Sequence, residues 1–198
     1  MDVPSVQGLR ACLLCGGKSR RMGRDKSLIP HPLGGSWLSH GIGLCRRLDL
    51  PVDVVSSISS HHQLASRFEG VECRPDPFPG DGPLAALSSV FGQEDVLAFL
   101  VLPVDMPCLD ASILVRLIHA WQEQPSFALV SHDGKRLQPL FAIYPNHIVY
   151  RDALWSQLAD HRLSVHDWLE RVPYRVLPLP YGGLRNLNCP ADLGILEE

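Results

Sequence analysis

A pair of adjacent glycines near the start of this 198-residue chain is followed by a cluster of cationic side chains. The glycines are Gly16 and Gly17. Five cations fall within the next nine positions, and they are Lys18, Arg20, Arg21, Arg24 and Lys26. Adjacent glycines let backbone N–H groups approach a phosphate or a base closely, and lysine and arginine pair with phosphate oxygens. The segment therefore suits a triphosphate ligand, with a solvated basic turn as the alternative interpretation.

This loop differs from the two common nucleotide-binding motifs. Gly17-Lys18-Ser19 ends like a P-loop, but the spacing GxxxxGK[ST] requires a glycine at position 12, where this chain has Cys12. The dinucleotide-binding pattern GxGxxG also fails, because Gly16 and Gly17 are adjacent and the next glycine is Gly23. The spacing therefore argues against a P-loop hydrolase.

An acidic residue follows an apolar run in the middle of the chain. The run Val96–Val104 predicts a central strand buried on both faces, and Asp105 comes directly after it. In an open parallel sheet ligands bind beyond the carboxyl ends of the strands, where a carboxylate can hold Mg2+ over bound phosphates. The alternative is a helix cap, but Asp110 serves the following helix better. The sequence therefore predicts a magnesium ligand at Asp105.

Two further polar segments are candidate binding loops. Asp76 lies in the proline- and glycine-rich segment 74–83, which follows a predicted strand and would offer contacts to a sugar or a base. Near the end of the chain, Asn186 and Asn188 are two residues apart. Asn188 could cap the last helix, ligate the metal, or do both in different states. The structural alternatives are a surface loop for the first segment and a helix cap for the second.

Alternating apolar strands and helical segments predict an α/β fold with a mostly parallel sheet. The predicted strands are Leu9–Cys15, Val52–Ser56, Val71–Arg74, Val96–Val104, Phe127–Ser131 and Leu137–Tyr144. The last two flank Asp133-Gly134, which favours a hairpin, so this pair is expected to be antiparallel. The predicted helices are Ser36–Leu48, His61–Phe68, Pro83–Phe91, Asp110–Gln124, Ile148–Leu158, Ser164–Arg171 and Pro190–Leu196.

Composition narrows the class of protein. A net charge of -3 offers no basic field for nucleic acid or an acidic membrane. No apolar run approaches the roughly 20 residues of a membrane span, and the first residues lack the pattern of a signal peptide, so we expect a cytoplasmic protein. Cys12 and Cys15 have CxxC spacing, but residues three apart in a strand point to opposite faces and cannot share a metal. A single domain over residues 1–198 is expected.

Five segments, in order, resemble the molybdenum cofactor guanylyltransferases, a family in a nucleotidyltransferase superfamily that also contains sugar-phosphate uridylyltransferases. Residues Leu14–Leu28 resemble the signature LAGGxSxRMGxDKxLL. The other segments are 82–87 (GPLAAL, against GPLAG), 103–107 (PVDMP, against PxDMP), 138–142 (QPLFA, the same letters) and 186–193 (NLNCPADL, against NxNTPEDL). The resemblance implies a three-layer αβα, Rossmann-like nucleotidyltransferase domain.

The resemblance also implies an activity and its residues. The terminal phosphate of molybdopterin would attack the α-phosphate of GTP and release pyrophosphate, with Mg2+ between the reacting phosphates. The implied catalytic residues are Arg21, Lys26 and Asp105, and the metal ligands are Asp105 and Asn188. The implied nucleotide-binding residues are Leu14, Cys15, Gly16, Gly17, Lys18, Lys26, Ser56, Asp76, Gly82, Pro83 and Asp105.

Comparison with the related cytidylyltransferases predicts which nucleotide base the site accepts. In those proteins the first glycine of the pair is usually alanine and the aspartate before the lysine is usually absent, so Gly16 and Asp25 favour GTP. Cytidylyl transfer to the same pterin, uridylyl transfer to a sugar phosphate and nucleotide binding without catalysis remain open.

Expected partners are GTP and molybdopterin, with recipient molybdoenzymes or cofactor-handling proteins beyond them. Lys135, Arg136 and Arg162 offer cations to the pterin phosphate.

This chain departs from the family pattern at several of these positions. Cys15 stands where the family usually has alanine, and Ser56 and Ser57 come at the end of the second strand, where relatives often carry an asparagine for the nucleotide. Cys189 and Ala191 replace a threonine and a glutamate beside Asn188. These changes bear on single contacts of the expected site and not on the class of protein.

Overall fold

Seven strands form one sheet in the computed structural model of this chain, which describes residues 7–15, residues 25–179 and Leu184. The strands are β1 (Leu9–Leu14), β2 (Val52–Val55), β3 (Val71–Arg74), β4 (Ala98–Pro103), β5 (Ala128–His132), β6 (Leu137–Pro145) and β7 (Tyr174–Pro178). The helices are α1 (Trp37–Arg46), α2 (Ser59–Ala65), α3 (Pro83–Leu87), α4 (Ala111–Gln122), α5 (Ile148–Ala159) and α6 (Val165–Leu169). A short 3-10 helix spans Lys26–Leu28.

The sheet is mostly parallel, as its apolar strands predict. Its strand order is β3-β2-β1-β4-β6-β5-β7, and β6 runs antiparallel to both of its neighbours. The predicted antiparallel pair is therefore confirmed as β5 and β6. Asp133 closes the connection between them, because its Oδ1 accepts hydrogen bonds from the backbone N–H groups of Lys135 and Arg136.

The side chains of β1 point alternately to the two faces of the sheet, and the core accordingly has one half on each face. Ala11 and Leu13 pack in a cluster with α1 and α4 on one face of the sheet. Cys12 and Leu14 pack on the other face with α3, α5 and α6. This arrangement confirms the three-layer fold and places Cys12 and Cys15 on opposite faces, as the strand geometry predicts. Burial raises the pKa of both thiols, so they behave as small apolar side chains.

Local sequence signals explain where the long helices begin. Asp110 caps α4 by accepting a hydrogen bond from the backbone N–H of Ile113, as predicted. Ser36 and Ser39 form a reciprocal capping box at the start of α1. The segment after Leu87 forms turns, so α3 is shorter than the predicted helix Pro83–Phe91. The predicted helix Pro190–Leu196 lies outside the described residues.

Strand β7 is the element that the apolar pattern does not predict. Among the described strands it pairs with β5 alone, and both Tyr174 and Val176 are exposed. A half-exposed edge strand containing Arg175 and Pro178 has no continuous apolar run, so its structure depends on its pairing with β5. Among the described helices, none is long and apolar enough to cross a membrane.

Candidate active site

A cavity of about 310 Å3 lies at the carboxyl ends of β1, β2, β3 and β4. These strands are mutually parallel, so the segments that follow them converge at one edge of the sheet. Seven predicted site residues line the cavity: Leu14, Cys15, Lys26, Asp76, Gly82, Pro83 and Asp105. Asp25, which the comparison with cytidylyl relatives singled out, also lines it, and three lining residues that the sequence did not single out are Ser27, Ile58 and His61.

The Lys26 ammonium contacts the Asp105 carboxylate inside this cavity. The distance between Nζ of Lys26 and Oδ2 of Asp105 is 3.0 Å, and the side chains are 15% and 25% exposed. Strands β1 and β4 are neighbours, with Leu14 opposite Pro103, so the segments beyond their ends meet. The expected juxtaposition of a loop cation and a strand-end carboxylate is therefore observed, in a partly solvated setting where both groups can reach a ligand.

Asp25 holds the turn that presents Lys26. Its Oδ1 accepts a hydrogen bond from the backbone N–H of Ser27 at 2.9 Å, which caps the 3-10 helix. Its Oδ2 lies 2.6 Å from Nε2 of His61. The carboxylate thereby joins the loop after β1 to helix α2. This role adds a structural reason for an aspartate directly before the lysine.

His61 is a site residue that sequence analysis missed. Its ring is 1% exposed and hydrogen-bonds to Ser56 through Nδ1 and to Asp25 through Nε2. The pair His61-His62 occurs at the start of a predicted helix, where polar residues are common and carry no functional signal. Only the approach of α2 to the loop after β1 shows that His61 points into the protein.

The loop after β3 supplies a second wall of the cavity. Asp76 accepts a hydrogen bond from the backbone N–H of Phe78 at 3.0 Å, and its backbone oxygen accepts from the Ser57 hydroxyl. Gly82 has φ of 91°, a conformation that side chains disfavour, and it leads into Pro83 at the start of α3. The glycine–proline pair therefore has a conformational reason in addition to its place in the cavity wall.

The residues expected to contact the nucleotide at the ends of β1 and β2 differ in whether they line the cavity. Leu14 and Cys15 are almost fully buried and line the cavity. Ser56 is also buried, but it is absent from the cavity lining, and its hydroxyl bonds to His61 and to the backbone N–H of Ile58. The structure therefore brings Leu14 and Cys15 to the cavity but not Ser56. Ile58 and His61 line it instead.

Two stacked histidines support the segment that carries Asp105. The rings of His31 and His40 are 3.8 Å apart and 9° from parallel. Nε2 of His31 bonds to the backbone oxygen of Pro107, and Nε2 of His40 bonds to that of Leu109. Burial lowers the pKa of His40, and the adjacent His31 lowers it further, although the bond to Leu109 opposes the change. The pair therefore favours the uncharged ring of His40.

Several predicted site residues lie outside the described residues. They are Gly16, Gly17, Lys18, Arg21 and Asn188, and their roles remain predictions from the sequence.

The described residues fit a magnesium site completed by waters and substrate phosphates better than a structural zinc site. Within residues 7–15 and 25–179, no group of three or more histidine, cysteine, aspartate or glutamate side chains is arranged to hold a metal. A structural zinc site needs four protein ligands, whereas Mg2+ commonly binds through one or two carboxylates, waters and substrate phosphates. Asp105, partly exposed at the strand end, fits the second arrangement.

A larger groove of about 880 Å3 lies at the opposite side of the sheet, where β1, β2 and β4 begin. Beside it, Asp53 on β2 is completely buried and contacts Arg10 at 2.7 Å and Arg74 at 2.9 Å. Gln93 donates a further hydrogen bond to Asp53 at 2.8 Å, and Glu72 contacts both arginines. These residues join β1, β2 and β3 through side chains on one face.

Comparison with known proteins places the chain among nucleotidyltransferases. A family model described as "MobA-like NTP transferase domain" matches residues 11–173. The chain is 34% identical to "Probable molybdenum cofactor guanylyltransferase" of Rhodopirellula baltica over 192 residues, which cover 94% of this chain and 90% of the relative. It is 32% identical to "Molybdenum cofactor guanylyltransferase" of Pseudomonas syringae pv. syringae, with 100% and 98% covered.

Solved structures share the fold at lower identity. A crystal structure of "Molybdopterin-guanine dinucleotide biosynthesis protein A" from Archaeoglobus fulgidus matches with a TM-score of 0.74 and 23% identity, covering 95% of this chain and 96% of that chain. The "4-diphosphocytidyl-2C-methyl-D-erythritolsynthase" from Anaerococcus prevotii matches with a TM-score of 0.72 and 10% identity, covering 96% of each chain. These likenesses establish the fold that the strand order describes.

Proposed function

Because the chain belongs to the MobA-like NTP transferase family, we propose that it is a guanylyltransferase that joins GMP from GTP to the phosphate of molybdopterin. A phosphate oxygen of the pterin attacks the α-phosphorus of GTP, a new phosphoric anhydride bond forms, and pyrophosphate leaves. The named relatives support the reaction, and five sequence segments support its placement on this chain.

The contact between Lys26 and Asp105 is the observation that carries this proposal. Nucleotidyl transfer gathers negative charge on phosphate oxygens, and catalysis consists mainly of positioning and charge neutralisation. The Lys26 ammonium, 3.0 Å from Asp105 and inside the cavity, is placed to pair with the triphosphate. Gly16, Gly17, Lys18 and Arg21 would extend this cradle, as the sequence predicts.

Asp105 is the residue proposed to hold Mg2+, with Asn188 as its helper. When bound, the ion would neutralise charge on the reacting phosphates. The Asp105 carboxylate stands at the end of β4, and the histidine pair His31 and His40 braces the segment that follows it. This bracing limits the movement of the carboxylate, which favours an ordered position for its ligand.

The nucleotide base is proposed to lie against the remaining cavity wall. Leu14 and Cys15 form an apolar floor, while Asp76, Gly82 and Pro83 contribute from the loop after β3. Gly16 and Asp25 favour GTP over CTP, by the comparison with cytidylyl relatives. We propose a single domain over residues 1–198 that acts in the cytoplasm and passes its product to molybdoenzymes or cofactor-handling proteins.

Thermal-shift titration with GTP, CTP, UTP and ATP in the presence of MgCl2 tests the base. A ligand that binds only the native protein raises its melting temperature by mass action, so GTP should give the largest shift. Pyrophosphate release with GTP and molybdopterin then tests the reaction. A larger shift with CTP would favour the cytidylyl alternative, and a larger shift with UTP would favour transfer to a sugar phosphate. Binding of GTP without pyrophosphate release would leave a non-catalytic module.

A further inference from the structure

A continuous chain of hydrogen bonds runs from strand β2 to the loop that carries Lys26. The backbone N–H of Ile58 donates to Oγ of Ser56 at 3.0 Å, and Oγ lies 2.7 Å from Nδ1 of His61. Nε2 of His61 lies 2.6 Å from Oδ2 of Asp25, whose Oδ1 accepts from the backbone N–H of Ser27. Ser56 and His61 are each 1% exposed.

The groups at the two ends of this chain constrain the direction of its protons. The Asp25 carboxylate can only accept when ionised, so Nε2 of His61 donates to it. In the neutral ring Nδ1 then carries no proton and accepts from the Ser56 hydroxyl. The Ser56 oxygen in turn accepts from the backbone N–H of Ile58. Each of these groups has a partner, and the buried part of the network, Ser56 and His61, is rigid because its hydrogen bonds are satisfied, while the Asp25 side chain is 29% exposed.

We propose that His61 is a positioning residue that acts on the nucleotide through Asp25 and Lys26. A hydrogen bond to an ionised carboxylate is stronger than a neutral one, and this bond joins α2 to the residue directly before Lys26. It fixes the start of the 3-10 turn and keeps the Lys26 ammonium against Asp105. This inference rests on the proposed function, because it assigns His61 to the same nucleotide site.

The order Ser56, His61, Asp25 has the connectivity of a nucleophilic triad but not its accessibility. A nucleophilic serine must present its oxygen to substrate. The Ser56 side chain is buried away from the cavity lining, and its oxygen already accepts the Ile58 N–H. The chain of bonds therefore orients a carboxylate and does not activate a hydroxyl.

Two substitutions of His61 separate its two hydrogen bonds. His61→Gln can place an amide N–H near the position of Nε2 and retain the bond to Asp25. His61→Asn places an amide near the position of Nδ1, within reach of Ser56, but is too short for Asp25. We expect His61→Asn to weaken binding of GTP with MgCl2 by about tenfold, and His61→Gln by less than about threefold, because a bond to a charged group is lost in the first variant only.

A Lys26→Ala background distinguishes positioning from general support of the fold. If His61 acts through Lys26, adding His61→Asn to Lys26→Ala should change the dissociation constant by less than about twofold, since the two changes are coupled. A full further tenfold loss would overturn the proposal. Equal losses in His61→Gln and His61→Asn would overturn it as well. If His61→Asn fails to fold, Asp25→Asn replaces it, because this change keeps the size of the side chain and removes its charge.

A nucleotide-independent measurement keeps this inference separate from the proposed function. Nitrogen-15 NMR of the unliganded protein should show a proton on Nε2 of His61, and the Lys26 ammonium signal should move in His61→Asn more than in His61→Gln. A proton on Nδ1 alone, or an unchanged Lys26 signal, would overturn the positioning role even if GTP binds. Failure of the parent to bind any of the four nucleotides, with these signals as expected, would overturn the proposed function and leave the bond network intact.

Discussion

Two aspartates that lie at opposite ends of the parallel strands have contrasting surroundings. Asp53, near the amino end of β2, is completely enclosed and contacts two arginines and a glutamine. Asp105, beyond the carboxyl end of β4, has a 25% exposed side chain and contacts Lys26. The first carboxylate has no surface left for a ligand, whereas the second retains oxygen atoms that can face the cavity.

The contrast shows that cavity volume alone is a poor guide to a candidate active site. The groove beside Asp53 is larger, at about 880 Å3 against 310 Å3, but its two arginines, Arg10 and Arg74, are already paired with the buried Asp53. In the smaller cavity, segments from four parallel strands bring a cation and a carboxylate together at the carboxyl edge. We therefore propose that the partly exposed charges at this edge form the binding site, and we interpret the fully paired buried charges as structural.

Removal of the Asp53 carboxylate should give the largest free-energy change. Asp53→Ala leaves Arg10 and Arg74 without their shared buried partner, so the free energy of unfolding should fall by about 3–5 kcal/mol, measured by urea denaturation. Glu72→Ala is the matched control, because Glu72 contacts the same arginines with a 55% exposed side chain and should cost less than about 1 kcal/mol. Equal losses in the two variants would remove the distinction between buried and exposed partners.

Removal of the Asp105 carboxylate should act on turnover instead of stability. Asp105→Ala should lower the rate of pyrophosphate release by about 10²–10³-fold, because charge on the reacting phosphates is no longer neutralised. Its melting temperature should stay close to that of the parent, since the side chain is partly solvated. Asp152→Ala, an exposed carboxylate on α5, serves as the control and should retain activity. A fully active Asp105→Ala protein would contradict the metal role.

Removal of the Lys26 ammonium should weaken nucleotide binding by a smaller factor. Lys26→Ala should raise the dissociation constant for GTP with MgCl2 by roughly tenfold to a hundredfold, which corresponds to one lost charge-assisted bond. Arg171→Ala provides the comparison, because Arg171 is an exposed cation after α6 and outside the cavity lining, and it should leave the GTP constant unchanged. Unchanged affinity in Lys26→Ala would count against the assignment of the loop to the triphosphate.

The histidine pair beside Asp105 should produce the smallest effect, a dependence of stability on pH. Because the pKa of His40 is lower in the folded protein than in the unfolded chain, the unfolded chain takes up the proton first as the pH falls. Its contribution to stability is therefore complete above the unfolded pKa of about 6.5 and is lost progressively below it. His40→Gln, which keeps a donor for Leu109, should lose less stability than the parent between pH 7.5 and 5.5. Equal losses would exclude this role of His40.

Local sequence patterns were sufficient to predict the structure wherever a residue's position in a strand or helix determined its surroundings. The apolar run of β4 indicated a strand buried on both faces, and its end placed Asp105 at the binding edge. Asp110 was recognisable as a cap because capping requires only neighbouring residues. By contrast, β7 depends on its pairing with β5, and its exposed side chains gave no apolar run.

Contacts between residues distant in the chain required the tertiary structure. His61 and Asp25 are separated by 36 positions, and Asp53 and Gln93 by 40, so no local pattern relates them. The hydrophobic pattern and the short motifs by themselves determined the class of fold, and they predicted the binding edge and the residues that carry charge there. Which charges become buried and paired, and which stay accessible, was decided only when the strands came together, because pairing and desolvation depend on neighbours that the order of residues does not specify.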